Sequence, residues 1–242
     1  MPDILEPVFR SDVTVQLVKH SADDAHVLWS ARVSTQGEQS LDQIGADPER
    51  SKGLINYLMR DRHGSPFEAA SMTFFVSAPI FVFREFMRHR VGWSYNEESG
   101  RYRELEPVFY IPGPDRKLVQ VGKPGHYRFE QGSAEQMDEA YQQMTMAYQE
   151  AYDSYRGMLA AGIAREVARS VLPVGLFSSA YATCNARSLM HFLGLRTTHP
   201  DAKVASYPQR EIEMVAEQME TAWAERMPLT HAAFNANGRI AP

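Results

Sequence analysis

The sequence has little cysteine, and this excludes several kinds of site. It contains a single cysteine, Cys184, so an internal disulfide and a cysteine-rich metal site are both excluded. The neighbours Ala182, Thr183 and Asn185 supply no base to activate a thiol, and we interpret Cys184 as a buried residue rather than a nucleophile. A chain with no disulfide fits a reducing compartment, so we predict a cytoplasmic protein.

Long apolar runs and several well-known motifs are missing as well. The longest apolar stretch, residues 78–83, is far too short to cross a bilayer, and residues 1–13 lack the apolar core of a signal peptide. The chain has no glycine-rich dinucleotide fingerprint, no P-loop and no Gly-x-Ser-x-Gly elbow, and its eight histidines show no His-Glu-x-x-His spacing. We therefore expect no membrane association, no metal site and no Rossmann or P-loop fold.

Basic charge is scarce over the whole chain but concentrated in one stretch. The net charge is −5 and the pI is near 5.9, which argues against nucleic-acid binding through a broad basic face. Residues 84–103 nevertheless carry five arginines and three glutamates, a local balance of +5 − 3 = +2. Because arginine presents a planar set of donors that fits phosphate and carboxylate, a small anionic ligand suits this stretch.

Aromatic residues are interleaved with these arginines. The alternative without a ligand is that the arginine-rich run forms a solvated loop, but a solvated loop does not require aromatic side chains. An RNA-binding module is another alternative, and the acidic total disfavours it. The rings belong to Phe86, Trp93, Tyr95 and Tyr102.

Apolar periodicity and capping residues predict both strands and helices along the chain. Strands are predicted at residues 13–18, 71–77, 108–111 and 176–182. Helices are predicted from Ser21 to about 32, at 42–62, from Pro79 to about 91, at 133–159, 164–170 and 185–195, and from Ser206 to Pro228. Residues 112–132 are predicted to form an irregular surface excursion and residues 197–205 a loop. The economical interpretation is a single α+β domain over residues 1–242.

The clearest helical pattern begins at Ser133, which has capping-box spacing to Gln136. Residues 137–159 then carry methionine, tyrosine and leucine at spacings of four, three, four, four, three and four, which is one helical face. A stripe of this kind is typical of a core or a helix–helix contact, and we assign it no chemistry.

Further arginines lie inside ordered segments downstream. In the predicted helix at 185–195, Asn185 and Arg196 point one way, whereas Arg187 and His191 point the other. One small ligand cannot easily touch both faces. Either one face is solvated, or the helix serves two ligands or lies at a subunit junction.

The run at residues 88–102 resembles the signature of the flavin-dependent thymidylate synthases, which is Arg-His-Arg, a spacer and then Ser. Four more segments resemble motifs of that family in the family's order, so the resemblance covers most of the chain. These segments are residues 63–68, 84–87, 164–173 and 185–196.

The sequence departs from the family pattern at a few positions. The spacer between the Arg-His-Arg run and Ser99 has eight residues instead of the usual seven, and we place the extra one within residues 91–93. Glu85 stands where glutamine is common, and a carboxylate can only accept hydrogen bonds. His191 stands where asparagine is expected, and the connection at residues 197–205 is longer than usual.

The resemblance implies an α+β fold with a mixed or antiparallel sheet flanked by long helices. It implies methylation of dUMP to dTMP without an enzyme nucleophile, with methylenetetrahydrofolate as carbon donor and FAD, reduced by NADPH, as hydride source. It also implies a homotetramer whose active sites lie at subunit junctions, with no nucleic-acid partner and no membrane association.

The same resemblance assigns site residues. It places Ser65, Arg88, His89, Arg90, Glu97, Asn185, Arg187 and His191 at FAD-contact positions. It places Glu85, Arg88, Glu98, Ser99, Gly100, Arg101, Arg169 and Arg196 at dUMP positions. Ser99 and Arg101 suit the phosphate. Arg196 is the catalytic candidate, because a guanidinium against the uracil edge stabilises negative charge that develops on N3 and O4.

Structural alternatives accompany these assignments. The alternative for Glu68 is that it serves only as a helix cap, and the alternative for His63 is that it is only a turn residue. Arg187 has the alternative of pairing with a nearby acid, and Glu85 of pairing with Arg88 or His89 within one helix. For the whole protein, the alternative is a non-catalytic flavin- or nucleotide-binding protein that keeps the fold.

Overall fold

The computed structural model describes residues 6–37, 47–124 and 126–242, except the side chain of His126, and combines helices with three small sheets in that part of the chain. The strands are β1 (Val8–Arg10), β2 (Thr14–His20), β3 (Ser71–Pro79), β4 (Trp93–Glu97), β5 (Val108–Tyr110), β6 (Val119–Lys123), β7 (His126–Glu130) and β8 (Phe177–Asn185). The largest sheet has the strand order β2-β3-β8-β4. Strands β1 and β5 pair in parallel, and β6 and β7 pair antiparallel.

Eight α-helices lie in the described residues. They are α1 (Asp24–Gln36), α2 (Pro48–Arg60), α3 (Ile80–Phe86), α4 (Ala134–Ala160), α5 (Arg165–Ala168), α6 (Ala186–Arg196), α7 (Arg210–Arg226) and α8 (Pro228–Ala236). Short 3-10 helices cover Ser65–Glu68 and Arg169–Val171. None of the described helices is both long enough and apolar enough to span a membrane.

Packing divides the described chain into two compact units. Unit 1 comprises Met1–Asp12, Ser77–Arg84 and Glu97–Ser179, as far as these ranges are described. Unit 2 comprises Val13–Val76, Glu85–Asn96 and Ala180–Pro242, with the same restriction. The mixture of helices and sheets confirms the α+β class, whereas the single domain stays a prediction.

The core of unit 1 is built around the tyrosine stripe of α4. Tyr148, Tyr152 and Tyr155 are buried, and the Phe109 ring stacks on Tyr148 with 4.8 Å between centroids. The Ser133–Gln136 capping box is present as predicted. The stripe is core only in the C-terminal half of the helix, since Tyr141 remains 46% exposed.

The core of unit 2 is aromatic around α6 and α7. Trp223 of α7 and Phe192 of α6 are fully buried, and Phe192 lies 5.0 Å from the ring of Phe86. The side chains of β3 alternate between buried and partly exposed, and Met72 and Phe74 are buried on one face. The strand is predicted from its composition, and the structure adds the period of two that is expected when one face of a strand is buried.

Two capping predictions are wrong. The side chain of Asp23, not Ser21, caps α1 by accepting a hydrogen bond from Ala25 N, and Ser21 Oγ lies 3.0 Å from Ser71 Oγ instead. Helix α7 begins after Gln209, and the Ser206 hydroxyl donates to the Thr197 carbonyl rather than capping the helix. The start predicted at residue 42 lies outside the described residues.

Helix α3 is shorter than predicted, and this changes the central arginine stretch. Strand β3 runs through Pro79 and α3 ends at Phe86, so residues 87–92 form a turn rather than helix. The Tyr95 hydroxyl lies 3.0 Å from the Phe86 carbonyl, at the end of the helix, and 2.9 Å from the His89 carbonyl, in the turn, so it can donate its one hydrogen to either of them. The i,i+4 pairs predicted for a longer helix, including that of Glu85 with His89, therefore do not form on a helix.

The sequence prediction also misses strands and one helix. Residues 93–97 form β4 instead of a loop, and the rings of Trp93 and Tyr95 stack on the same face, 5.7 Å apart. The predicted irregular region at 112–132 contains the β6–β7 hairpin, and β1 is unpredicted. Pro228 ends α7 as expected, but it also begins α8, because proline is favoured in the first helical turn.

Candidate active site

Arg196, the last residue of α6, lies between an acid and a histidine in unit 2. Its Nη1 donates to Glu85 Oε2 at 2.7 Å, and its Nε donates to His89 Nε2 at 3.2 Å. Both Arg196 and Glu85 are largely covered, with side chains 23% and 30% exposed. The structure therefore brings together three of the predicted site residues, and we call Glu85, His89 and Arg196 the Arg196 cluster.

The imidazole of His89 is neutral around pH 7. Burial, followed by the positive charge of Arg196 and that of a charged His191, lowers the pKa of His89 to about 4. Because Nε2 accepts the hydrogen bond from Arg196, the neutral ring carries its proton on Nδ1. The ring packs edge-on against Phe192 at 4.9 Å, which fixes its orientation.

The opposite face of α6 carries a second arginine with its own partners. Arg187 Nη1 donates to Glu68 Oε1 at 2.7 Å, and Nε donates to the Pro242 carbonyl at 2.6 Å. The alternative that Arg187 pairs with an acid is therefore confirmed. Gly64 is buried and packs closely against this arginine. A Cβ at residue 64 would lie only 2.6 Å from Arg187 Cζ, so a larger residue has no room there. Partial burial and the charge of Arg187 lower the pKa of the neighbouring His191.

The N-terminus of α6 is tied to the turn that follows α3. The Asn185 side chain caps the helix by accepting from Ser188 N at 2.8 Å, and Ser188 Oγ donates to the Val91 carbonyl at 2.9 Å. Gly92 has a φ of 69° and leaves no room for a Cβ beside Ser188 Oγ. Val91 and Gly92, where we predict one residue more than the family pattern has, lie at this contact.

The turn itself presents two free cations. Arg88 and Arg90 are exposed, and neither guanidinium group has a hydrogen bond or ion pair among the residues that the structure describes. Ser65 is also exposed, in the 3-10 helix Ser65–Glu68, and its side chain does not cap that helix. Unpaired guanidinium groups at a surface suit phosphate groups of a ligand.

The predicted phosphate loop lies in unit 1, directly after β4. Ser99 closes the turn, because its carbonyl accepts from Tyr102 N at 3.0 Å and its Oγ accepts from Arg101 N at 3.3 Å. The Arg101 side chain pairs with Glu166 at 3.0 Å on the surface. Hydrogen bonds within the loop, most of them from its backbone, hold its shape.

A small cavity of about 120 Å³ adjoins this loop within unit 1. Gly100 is buried at its wall, where a Cβ would lie 2.9 Å from Leu105 Cδ1 and 3.1 Å from Arg169 Cδ. Arg169 is exposed, and its guanidinium group has no hydrogen-bonded partner among the described residues. The cavity is lined by Ile80, Glu97, Glu98, Gly100, Leu105, Arg169, Leu172, Leu176, Phe177 and Ser178.

The two glutamates of the cavity have defined partners. Ser178 Oγ donates to Glu97 Oε1 at 2.7 Å, and Glu98 Oε2 lies 3.6 Å from Arg103 Nη1. The sequence prediction misses Ser178, because a lone serine in a strand gives no functional signal. It does not assign Arg103 either, although that residue belongs to the arginine-rich stretch.

The predicted site residues therefore fall into two groups. Cavity residues Glu97, Glu98, Gly100 and Arg169 lie together in unit 1, and Ser99 and Arg101 belong to the adjoining loop. Unit 2 carries the others: Ser65, Glu85, Arg88, His89, Arg90, Asn185, Arg187, His191 and Arg196.

Cys184 does not belong to either group. It is buried, with 2% of its surface exposed, and burial raises the pKa of its thiol. A buried thiol of this kind is a poor nucleophile. No group of histidine, cysteine and acidic residues that could hold a metal ion is found in the described ranges.

Comparison with known proteins decides the family. The family model described as "Thymidylate synthase complementing protein" matches residues 16–229. The flavin-dependent thymidylate synthase of Streptomyces avermitilis is 75% identical over 240 residues, which cover 99% of this chain and 98% of that protein. The chain belongs to the flavin-dependent thymidylate synthase family. It is therefore an enzyme of the methyltransferase type.

More distant members of the family give the same result. The flavin-dependent thymidylate synthase of Tropheryma whipplei is 56% identical over 239 residues, covering 99% of both chains. A crystal structure of the UMP/dUMP methylase PolB from Streptomyces cacaoi, bound with 5-Br UMP, is 56% identical and superimposes with a TM-score of 0.89 over 98% of this chain and 99% of that chain. The predicted family and fold class are confirmed.

Proposed function

We propose that this enzyme converts dUMP to dTMP, with methylenetetrahydrofolate as carbon donor and NADPH as the source of electrons through FAD. The methylene carbon replaces the proton on C5 of uracil, and a hydride completes the methyl group. The Arg196 cluster is the observation that carries this proposal, because it holds a guanidinium in a fixed, largely covered position. The alternative of a non-catalytic flavin-binding protein offers no reason for such a cluster.

Arg196 would act on the uracil ring without an enzyme nucleophile. A guanidinium against N3 and O4 stabilises the negative charge that develops there and makes C5 more nucleophilic. The buried state of Cys184 supports this chemistry, since the thiol is neither exposed nor readily deprotonated. Glu85 already binds Arg196 in this structure, so it reaches the nucleotide only through that arginine or by releasing it.

The loop and cavity of unit 1 suit the nucleotide phosphate. Ser99, Gly100 and Arg101 supply a hydroxyl, a backbone and a guanidinium within one tight turn, and Arg169 adds an unpaired cation. Phosphate binding to such backbone and arginine donors is favourable. The family pattern adds Glu98 here, and it also assigns Arg88 and Glu85 to dUMP.

The residues available for FAD fit a cofactor that carries two phosphates. Among the described residues, the guanidinium groups of Arg88 and Arg90, on the turn after α3, and the hydroxyl of Ser65 have no partner. FAD, when bound, supplies the hydride. The family pattern adds His89, Glu97, Asn185, Arg187 and His191 as its contacts.

We further propose a cytoplasmic homotetramer with active sites at subunit junctions, each chain folding as one domain. The two polar faces of α6, with Arg187 on one and Arg196 on the other, support sites that involve more than one ligand or subunit. The cavity of about 120 Å³ in unit 1 also supports it, because a ligand site typically needs about 300–1,000 Å³.

The test is an assay on purified protein with bound FAD. We expect flavin absorbance that bleaches with NADPH and recovers when dUMP and methylenetetrahydrofolate are added, while dTMP appears. UMP is run in parallel, because the PolB comparison names both nucleotides. A protein that takes up no FAD, or that binds it and forms no dTMP, would contradict the proposal.

A matched pair of variants tests the role of Arg196. Arg196→Ala should keep its flavin and lose dTMP formation. Glu217→Ala serves as control, because it removes a carboxylate 2.8 Å from Arg210 Nη1 on α7, away from the proposed site residues. Normal turnover by Arg196→Ala would exclude Arg196 as the catalytic residue.

A further inference from the structure

The partners of Arg196 define which of its edges is available to a substrate. A guanidinium has five N–H groups in one plane. The Nε–H points to His89 and one Nη1–H points to Glu85, so three remain, two of them on Nη2. Neither Nη2 hydrogen has a partner among the described residues. The open edge of Arg196 is thus the edge that carries Nη2.

We propose that Glu85 is a positioning residue that acts through Arg196, holding the guanidinium so that its Nη2 edge faces the uracil, rather than a direct ligand of the nucleotide. This inference rests on the proposed function. The family pattern gives Glu85 only as a position that contacts dUMP, and an acid there lacks the donors needed by the carbonyl groups of uracil. In this structure the Glu85 carboxylate accepts a hydrogen bond from Arg196 instead.

The structure gives two reasons why Arg196 needs to be held. Arginine loses much side-chain entropy when it is fixed in one rotamer, so an unsupported guanidinium would sample several positions. Arg196 is also the last residue of α6, where the backbone no longer continues as helix. Contacts at both Nε and Nη1 fix the plane of the guanidinium as well as its place, which one contact alone cannot do.

His89 and Glu85 divide this task. The imidazole of His89 is held by its ring contact with Phe192 at 4.9 Å, and its Nε2 accepts the hydrogen bond from Arg196 Nε. Glu85 lies in the last turn of α3, one residue before the helix ends, and its Oε2 accepts the hydrogen bond from Arg196 Nη1. Removal of Glu85 leaves Arg196 with a single anchor, about which the guanidinium can pivot.

Three substitutions at Glu85 test the proposal in the FAD-loaded enzyme. Glu85→Gln keeps an acceptor oxygen, Glu85→Met keeps the length without an acceptor, and Glu85→Ala removes both. We expect Glu85→Ala and Glu85→Met to lower kcat about tenfold to a hundredfold, as expected when a catalytic group is misplaced. The KM for dUMP should stay nearly unchanged, and Glu85→Gln should recover most of the wild-type kcat.

Two readouts separate positioning from a purely structural role. Flavin content and melting temperature should match wild type in Glu85→Gln, and Glu217→Ala should leave kcat and KM unchanged. In addition, Glu85→Ala introduced into Arg196→Ala should not weaken dUMP binding beyond the single Arg196→Ala variant. That result is expected only if Glu85 acts through the arginine.

Specific outcomes would overturn the proposal. Glu85 would be a direct ligand if Glu85→Ala raised the KM for dUMP while kcat stayed normal, or if it weakened dUMP binding in the Arg196→Ala background. A normal kcat in Glu85→Met would also contradict positioning. A crystal structure of Glu85→Ala tests directly whether Glu85 fixes the position of Arg196, because we then expect the Arg196 guanidinium to be displaced. That readout is independent of turnover, so a wild-type enzyme that forms no dTMP would refute the proposed function separately.

Discussion

Histidine 89 shows at the scale of one residue how burial and a neighbouring charge determine a protonation state. Its ring is partly buried and accepts a hydrogen bond from Arg196, so protonation would place two positive groups in direct contact. The pKa is therefore held at about 4, well below the value of 6.5 for a free imidazole. The neutral ring is the form that can support Arg196.

This depressed pKa makes stability depend on pH. Between pH 6.5 and about 4 the unfolded chain binds a proton at residue 89 that the folded protein does not. The free energy of unfolding therefore falls as the pH falls through this window. We expect denaturant unfolding at pH 7 and pH 5 to show a larger loss of stability for wild type than for His89→Gln. Equal losses would contradict the assignment.

Sequence analysis identifies many residues of the site but not their contacts. The family motifs include Glu85, His89 and Arg196, yet the expected partner of Glu85 is Arg88 or His89 on a continuous helix. The observed partner, Arg196, is 111 positions away in the chain. Pairing over such a distance has no signature in a single sequence, because it depends on how α3 and α6 are placed by the fold.

The turn between α3 and β4 illustrates the element scale. Its residues read as helix followed by loop, because arginine and methionine continue the helical pattern of α3. Instead, the Tyr95 hydroxyl lies within hydrogen-bond distance of the Phe86 carbonyl at the end of α3 and of the His89 carbonyl in the turn. Gly92 supplies a positive φ of 69°. The chain can then reverse and form β4.

Gly92 provides a test of this turn. Gly92→Ala should lower the free energy of unfolding by about 1–3 kcal/mol, since alanine is strained at positive φ and its Cβ would collide with Ser188. Gly53→Ala is the control, because Gly53 lies in α2 with open space around a Cβ, and alanine there should stabilise by up to about 1 kcal/mol. Thermal and denaturant unfolding measure both. If the two variants had equal stability, the strain at Gly92 would be refuted.

At the scale of the molecule, a buried ionic network joins separate parts of unit 2. Arg239, whose side chain is only 1% exposed, donates to both carboxylate oxygens of Glu220 on α7, at 2.6 and 2.7 Å. It also donates to Thr197 after α6 and to Asn235 on α8. His231 lies 2.9 Å from the same carboxylate. The network therefore couples the end of α6 to α7, α8 and the segment after α8.

This network predicts acid sensitivity. Burial alone would raise the pKa of Glu220, but hydrogen bonds from Arg239 and His231 outweigh it and hold the pKa at about 2. Because the folded pKa lies below the ordinary glutamate value of 4.5, the stabilisation is present above pH 4.5 and is lost as the pH falls toward 2.

The variant Glu220→Gln leaves the buried Arg239 charge without its counter-ion. We expect it to lower the free energy of unfolding at pH 7 by about 3–5 kcal/mol. It should also flatten the loss of stability between pH 4.5 and 2, which acid titration by circular dichroism would measure. Glu217→Ala, at an exposed pair on the same helix, is the control and should change stability by about 1 kcal/mol or less. A similarly small effect of Glu220→Gln would contradict the role of the network.

The sequence by itself determined the family, the α+β class, the helices α4 and α6 and the arginine-rich motif. These features depend on local spacing and composition, such as the Ser133–Gln136 capping box and the β-strand composition of residues 71–77, which a sequence displays directly. The tertiary structure alone decided where α3 ends, that Glu85 binds Arg196 and that Glu68 binds Arg187. Those pairs form between residues more than a hundred positions apart, so they exist only once the chain has folded.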